Sequence, residues 1–467
     1  NHSRSPVDTY TRALERAYAQ AGLAPERVSY LEAHGSGDPD EDAIETEALT
    51  AFFGDRHHPE ARPMCAIGSA KPTIGHTGAA AGLVSVVKTA LCLYQELIPA
   101  LSGFREPTTP DAWSRGPFYM PIRSEAWLRD RSDGPRHAGV SVMTCDGGSA
   151  HVVLEGVRRP SASHVADRRQ PLGSRDQALF GVSGRDPETL QAGLAALREL
   201  VTDTQDGPAH GIEALARRWH VMQPPRSHDD SLGLALHATG RADLQRAIAV
   251  GERGLLTEPA APMDGREGVF YTPSPLDARG EVAFVFPGSG AHYVGMGAGV
   301  GVHWPEVLRN LDAETAHLHS QLLPRLLTPR RHDWSDGWQR TADDALDRDF
   351  LAMLLGQVAH GVVMSDLLRG LGLQPAAAIG YSLGESTALF AMRAWSARDE
   401  MYERLRRSSL FQTGLVGRCD AARAAWNLAP DDTVNWRSVV VNRPAHVVRE
   451  VLADVERVYL QIINTTD

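Results

Sequence analysis

A chain of 467 residues is longer than one hydrophobic core can serve and implies two to four domains. Its hydrophobic share of 42% is ordinary for a globular protein, and no run approaches the ~20 consecutive apolar residues of a membrane span. A net charge of −11 without a concentrated basic face argues against nucleic acid as a partner.

The first part of the chain alternates helices with short apolar strands. The spacing predicts a helix over 9–22, a strand over Val28–Leu31 and a polar, Gly-broken loop at His34–Gly37. Helices are expected over 42–54 and 79–96, and strands at Ala138–Val142 and His151–Leu154. Residues 157–175 turn polar and basic and read as a linker. A small unit follows, with strands at Ala178–Ser183 and Ser231–Leu236 and helices over 187–203, 210–219 and 240–252. After another Pro/Gly-rich stretch come a strand at Val282–Phe286, a strand at Ala376–Ile379 and a helix over Glu385–Trp395. The apolar run Val458–Ile463 reads as a buried strand. These divisions give three parts, 1–156, 157–280 and 281–467. Neither Asn1 nor Asp467 looks like a natural terminus, so a larger parent is expected.

Cys65, Cys92, Cys145 and Cys419 stand apart without CxxC spacing, which signals neither a metal site nor a disulfide framework and fits a reducing cytoplasm. Lys71 and Lys88 are the only lysines, and arginine supplies every other basic side chain. With the abundance of Ala and Gly, that bias points to a GC-rich bacterial genome.

Gly380-Tyr381-Ser382-Leu383-Gly384, between an apolar strand and a helix, is a GxSxG nucleophile elbow. The flanking glycines remove Cβ clashes, so the serine can sit exposed at a helix N-terminus, where the dipole and free N–H groups favour negative charge. The N–H of Leu383 is the natural oxyanion donor. Upstream, Val282–Phe286 runs into Pro287-Gly288-Ser289-Gly290, a turn able to present the Ser289 N–H to the same oxyanion. The alternatives are an ordinary tight turn and an ordinary Gly-rich loop.

VFPGSGAHYVGMG followed by GYSLGE resembles the malonyl/acyl-CoA:carrier-protein acyltransferase domains of modular and iterative synthases, which read FPGQGSQ…GM and GHSxGE. The resemblance implies that Ser382 is acylated from a CoA thioester and delivers the acyl group to a carrier-protein phosphopantetheine. Ser289 stands where that family carries Gln, His292 replaces a second Gln, and Tyr381 replaces the usual His. Tyr at that position looks more like the acyltransferases of polyunsaturated fatty acid synthases and related iterative polyketide enzymes. Arg407, 25 residues past the serine, falls where the family places an arginine that forks onto malonyl's carboxylate; a solvated helix face is the competing reading. A serine nucleophile needs a histidine base, which the family carries roughly a hundred residues after the serine, beyond Asp467. His446 is the one histidine that this chain offers downstream of Ser382.

Tyr30–Gly37, with Asp42 and Glu45, resembles the EAHGTGTxxGDxxE segment of ketosynthases, and Ser69–Gly82 resembles their KSNIGHTxxAAG. The resemblance implies that His34 and His76 stabilise the enolate left when malonyl loses CO2, and that Lys71 orients one of them. Two imidazole donors aimed at one oxygen suit that task. The ketosynthase cysteine lies upstream of the first motif in that family, and none of the four cysteines here has its context. Gly139–His151 aligns with GVSSFGFGGTNAH, with Cys145 in place of a gating Phe and Asp146 in place of a Gly. A working ketosynthase and a degenerate ketosynthase-like scaffold both remain open.

The resemblance implies the C-terminal half of a thiolase-like ketosynthase fold, a small α/β linker domain and an α/β-hydrolase-like acyltransferase domain. It implies an acyl carrier protein and acyl-CoA or malonyl-CoA as partners, no bound cofactor, and a homodimer through the ketosynthase part. The competing functions are a catalytically dead scaffold that docks carrier proteins and a serine thioesterase or hydrolase. The last is disfavoured by the FPGSG loop, which is not the HGGG type of such enzymes.

Overall fold

The computed structural model describes residues 5–54, 65–107, 110–113, 116–144, 146–157, 168–202, 211–223, 231–275, 280–330, 337–429 and 431–465. Cys145 and residues 158–167 of the expected linker lie outside them.

Helix α1 (Pro6–Ala21) starts on a proline and stops at Gly22, whose left-handed φ of 60° lets the chain turn back on the last carbonyls. Tyr10, Leu14 and Tyr18, one turn apart, form its buried stripe. Strand β1 (Val28–Glu32) leads into α2 (Pro39–Gly54), and β2 (Cys65–Gly68) precedes α3 (Lys71–Ile74) and the long α4 (Ala81–Gln95). Short elements β3 (Leu97–Ile98), α5 (Pro110–Trp113), β4 (Phe118–Tyr119) and β5 (Glu125–Ala126) lead to β6 (His137–Met143) and β7 (Ser149–Glu155). Five of these strands form one sheet in the order β4-β2-β1-β6-β7, parallel except for the β6–β7 hairpin. Helices α1 and α2 cover one face, through Leu14, Leu49 and Phe52 against Leu31 and Ile67. Cys92 of α4 packs on the other face with Tyr30, Tyr119 and Trp127. The central strand β1, covered on both faces, is therefore buried nearly throughout.

Next come β8 (Ala178–Gly184), α6 (Pro187–Thr202), α7 (Ile212–Met222), β9 (Leu232–Ala238), α8 (Arg241–Thr257), β10 (Met263–Asp264) and β11 (Val269–Tyr271). They build a second sheet, β10-β11-β9-β8, in which every pairing is antiparallel. Its three helices pack on one face around Trp219, Leu194 and Phe180, while Leu179 and Phe270 face out on the other.

Strand β12 (Val282–Phe286) is followed by α9 (Val300–His303), α10 (Pro305–Glu314), α11 (Leu318–Leu322), α12 (Pro324–Leu327), α13 (Trp338–Arg348) and α14 (Phe350–Gly370). Strand β13 (Pro375–Gly380), α15 (Leu383–Ala391), α16 (Arg398–Arg407), α17 (Asp420–Trp426) and α18 (Ala445–Leu452) complete the chain. Strands β12 and β13 pair in parallel, Phe286 opposite Gly380. Phe284 and Phe286 point into a core with Val358, Val362 and Phe390, whereas Val285 and Ile379 lie exposed on the opposite face. The run Val458–Ile463 is neither a strand nor buried; Ile462 is 65% exposed. A strand requires a neighbour to satisfy its backbone, and among the described residues none pairs with this segment.

The first and third parts meet through polar contacts. Glu96, at the left-handed end of α4, receives Arg136 at 2.9 Å, Arg309 at 3.1 Å and Arg168 at 3.3 Å. Burial drives the Glu96 carboxyl upward, yet the three guanidinium groups outweigh it and hold the group below its ordinary range. Asp130 accepts from the Ser320 N–H at 3.0 Å, and the Arg131 N–H donates to the Ala316 carbonyl at 2.8 Å.

Two stretches, Gly78–Gln95 and Phe350–Gly370, are long and apolar enough to cross a membrane by length and composition alone. Neither is an unbroken apolar run, since Lys88 interrupts the first and Asp366 and Arg369 the second. The second is the central helix of the third core, with Val358, Ala359, Val362 and Val363 buried.

Candidate active sites

The His34 loop leaves the C-terminal end of β1 and is held from α2. Helix α2 begins on Pro39, with the Asp38 carboxylate accepting the N–H groups of Asp40 at 3.0 Å and Glu41 at 3.2 Å, an N-terminal cap. One turn into the helix, buried Glu45 reaches back. Its Oε1 accepts the His34 N–H at 2.8 Å and the Tyr10 O–H at 2.5 Å; its Oε2 accepts the Gly35 N–H at 2.8 Å. Gly35, at φ 48°, has the Ser69 hydroxyl 3.0 Å from where a Cβ would stand, so glycine is needed twice over.

The His34 ring is 3% exposed. Its Nδ1 accepts the Met143 N–H at 3.2 Å and lies 3.4 Å from Lys71 Nζ, which also donates to the His34 carbonyl. Both neighbours of Nδ1 are donors, so the ring proton sits on Nε2. Burial, and after it the Lys71 charge, hold His34 below its ordinary pKa, against a pull upward from Glu41. Burial likewise lowers Lys71, opposed by Glu45, Glu32 and Glu41. His76 stands exposed, edge-on to His34 with ring centres 5.7 Å apart, and its Nδ1 accepts the Gly78 N–H at 3.0 Å. The structure thus brings His34, Lys71 and His76 together. The other lysine, Lys88, pairs with buried Glu32 at 2.7 Å.

Two neighbours of this cluster carry no site role in the sequence reading. The backbone N–H of Met143 is one; no residue-type pattern reports it. The second is Glu41, whose Oε2 lies 3.4 Å from His34 Nε2. A signal for it exists, because Glu41 stands at the glycine of the EAHGTGTxxGDxxE pattern. Asp146, the acid in place of the family's Gly, accepts within its own exposed turn from the Thr144 hydroxyl and from the Gly148 N–H at 3.3 Å.

Ser382 ends the turn after β13 with φ 52° and ψ −115°, a strained conformation for a residue with a side chain. The backbone crosses itself tightly there. A Cβ on Gly380 would stand 2.2 Å from the Gly384 backbone, and one on Gly384 would stand 2.1 Å from the Phe286 carbonyl oxygen. The serine is exposed at the N-terminus of α15, and Leu383 supplies the helix's first N–H, which has no intrahelical acceptor.

The Phe286–Gly290 loop abuts this elbow because both leave the C-terminal ends of paired parallel strands. The Tyr381 N–H donates to the Phe286 carbonyl at 3.2 Å, and Gly288 lies against the Tyr381 ring. Gln357 of α14 ties the loop down, its amide donating to the Pro287 carbonyl at 3.1 Å and to that of Gly288. Ser289 is exposed on this loop. Tyr381 is 62% exposed, with its hydroxyl 3.4 Å from Asn464 Oδ1. His292 is nearly buried and faces Asp347 at 3.6 Å.

Arg407 is the last residue of α16, 81% exposed and paired one turn back with Glu403 at 3.1 Å, the arrangement of a solvated helix face. His446 opens α18 and is exposed. Among the described residues no hydrogen bond joins Ser382 to His446 or to any other histidine.

Residues 3–105 match the family described as the beta-ketoacyl synthase C-terminal domain, and that match contains His34, Lys71 and His76. The chain as a whole is similar to polyketide synthases. It is 31% identical over 408 residues to polyketide synthase GfsE of Streptomyces halstedii, covering 83% of this chain and 10% of that protein. It is 30% identical over 466 residues to the spectinabilin polyketide synthase system protein NorA' of Streptomyces orinoci, covering 96% of this chain and 12% of that one. The chain therefore spans about a tenth of the length of these curated relatives. Among solved structures, the ketosynthase from module 6 of the bacillaene synthase of Bacillus subtilis 168 aligns at 28% identity with a TM-score of 0.30, covering 53% of this chain and 40% of that one.

Proposed function

We propose that this chain is a piece of a polyketide or polyunsaturated fatty acid synthase that joins a ketosynthase part to an acyltransferase of the α/β-hydrolase-like kind through a small linker domain. In the acyltransferase, Ser382 Oγ attacks the thioester carbonyl of malonyl-CoA or another acyl-CoA. The C–S bond breaks, CoA leaves as its thiol with the serine proton, and the carrier-protein phosphopantetheine thiol then takes the acyl group and restores the serine. The N–H groups of Leu383 and Ser289 serve as oxyanion donors, with Tyr381 and His292 shaping the pocket wall. Arg407 serves malonyl's carboxylate only by releasing Glu403. No bound cofactor is called for; the carrier protein is the acceptor, and the ketosynthase part is the dimer contact.

The observation that carries this reading is the elbow itself. A serine at positive φ, wedged between two glycines that admit no side chain, lies beside a second loop at the ends of neighbouring parallel strands. Nothing in ordinary turn formation requires both. The test is incubation of the chain, alone and within its parent, with radiolabelled malonyl-CoA. Label should remain on protein and be abolished by Ser382→Ala; label retained by the variant refutes the assignment. Rapid release of free acid instead would mark a hydrolase.

A second reading, that the ketosynthase part is a docking scaffold without turnover, is favoured by the Glu41 carboxylate set against His34. It predicts carrier-protein binding with no decarboxylation of a malonyl thioester.

A further inference from the structure

The Glu41–His34 contact allows a sharper statement than active or dead. His34 has one hydrogen to give. Its Nδ1 faces the Met143 N–H at 3.2 Å and Lys71 Nζ at 3.4 Å, two donors, which leaves the proton on Nε2. That nitrogen lies 3.4 Å from Glu41 Oε2. The backbone of Glu41 is fixed in the first turn of α2 by its N–H bond to Asp38 at 3.2 Å. Its side chain is not fixed in that way: it is 35% exposed and has water beside it to rotate into, whereas the His34 ring is 3% exposed.

We propose that Glu41 is a gate on the His34 donor. With the carboxylate in place, its charge lies 3.4 Å from His34 Nε2, and a second anion at that position is repelled. With the carboxylate turned to solvent, the donor is free for a thioester oxygen. The ligand class that the gate opposes is an oxyanion or enolate approaching His34 from the His76 side; His76, edge-on at 5.7 Å, is left untouched by Glu41. This inference rests on the reading of His34 as a donor to substrate oxygen. Glu41 acts through His34 and is a positioning residue.

The test uses the full chain labelled with ¹⁵N-histidine and malonyl-N-acetylcysteamine as the probe. Long-range ¹H–¹⁵N correlations, assigned with His34→Gln, report the His34 tautomer and its Nε2–H. Glu41→Gln and Glu41→Gly should both shift the Nε2 signals while the proton stays on Nε2. The probe should bind Glu41→Gly on the order of tenfold tighter than the native chain, the expected scale for removing one charge a few ångströms away at a partly wet site. Glu41→Gln, isosteric and kept in the helix, should fall between the two, and His34→Gln added to Glu41→Gly should erase the gain. Equal binding to the native chain and Glu41→Gly, a gain that survives His34→Gln, or Nε2 signals indifferent to position 41 would each overturn the gate. Decarboxylation is read separately as released CO2, the C–C bond electrons passing to the thioester oxygen and water supplying the proton that leaves acetyl thioester. Tight binding to Glu41→Gly with no CO2 sinks the enolate role of His34 and leaves the gate standing.

Discussion

Replacing Glu45 by glutamine and by alanine tests how α2 holds the His34 loop. The native carboxylate takes three donors at 2.5–2.8 Å, two of them the backbone N–H groups of His34 and Gly35. Glutamine keeps one oxygen for the Tyr10 and His34 donors but must turn its NH2 toward the Gly35 N–H. One buried donor is then orphaned at about 1–3 kcal/mol, and two charge-assisted bonds become neutral at up to about 1 kcal/mol each. The expected cost is about 2–4 kcal/mol for Glu45→Gln and about 4–6 kcal/mol for Glu45→Ala, which orphans all three donors and leaves a cavity. Hydrogen exchange read by mass spectrometry on peptides spanning 28–54 measures local opening directly, which a global transition of so large a chain does not. The His34 and Gly35 amides should lose protection by roughly one and a half to three orders of magnitude in Glu45→Gln, on the scale of ~1.4 kcal/mol per tenfold. A change under about 0.5 kcal/mol with both amides still protected refutes the reasoning. Burial, the largest influence on Glu45, raises its pKa, and a carboxyl held neutral would be mimicked by glutamine at little cost.

Gly384→Ala should cost more than about 3 kcal/mol and abolish acylation of Ser382, because its Cβ would stand 2.1 Å from a backbone oxygen that cannot retreat without opening the β12–β13 pair. Gly233→Ala, with open space around it, should change the thermal midpoint by less than about 0.5 kcal/mol equivalent; a similar loss in both variants would show that the elbow is not specially constrained. His151 is half-buried, stacked on Tyr18, its Nδ1 on the Ser141 hydroxyl at 2.8 Å and its Nε2 without a partner among the described residues, and desolvation pushes its pKa from 6.5 down to about 4. Above pH 6.5 the ring is neutral folded or unfolded and contributes no slope; below it the unfolded chain takes a proton that the folded one refuses. Stability of the first part should therefore fall by about 3 kcal/mol between pH 6.5 and 4, and His151→Phe, which keeps the stack on Tyr18, should flatten that slope in urea titrations; an unchanged slope would assign it to other groups.

What was legible in the sequence was what local periodicity and motifs carry. Tyr10, Leu14 and Tyr18 announce α1 by their spacing, and β12 stands at Val282–Phe286 as expected. Pairing was not legible. The alternation of helices and strands in residues 178–271 suggested α/β, yet two helices between β8 and β9 return the chain antiparallel. Val458–Ile463 has the composition of a strand without a partner to make it one. The all-round apolar α14 gives no amphipathic period, and its role as the central helix of the third core emerges only from what surrounds it.

The sites divide along the same line. Motif positions pointed to the candidate atoms, and the fold gathers them: His34, Lys71 and His76 in one cluster, Ser382 and Ser289 on facing loops. Whether those atoms are available depends on departures from the motif, and there the residue type alone misleads. Asp146 and Glu41 are both acids at positions where the resembled segments carry glycine. One oxygen of the exposed Asp146 carboxylate, Oδ1, accepts from the Thr144 hydroxyl and the Gly148 N–H of its own turn. The Glu41 carboxylate is free of its own turn, because Asp38 already caps the helix, and it is left to face His34 Nε2. An acid in place of glycine is therefore tied into its own turn at 146 and aimed at a donor at 41, a distinction that rests on which neighbouring N–H groups were already satisfied.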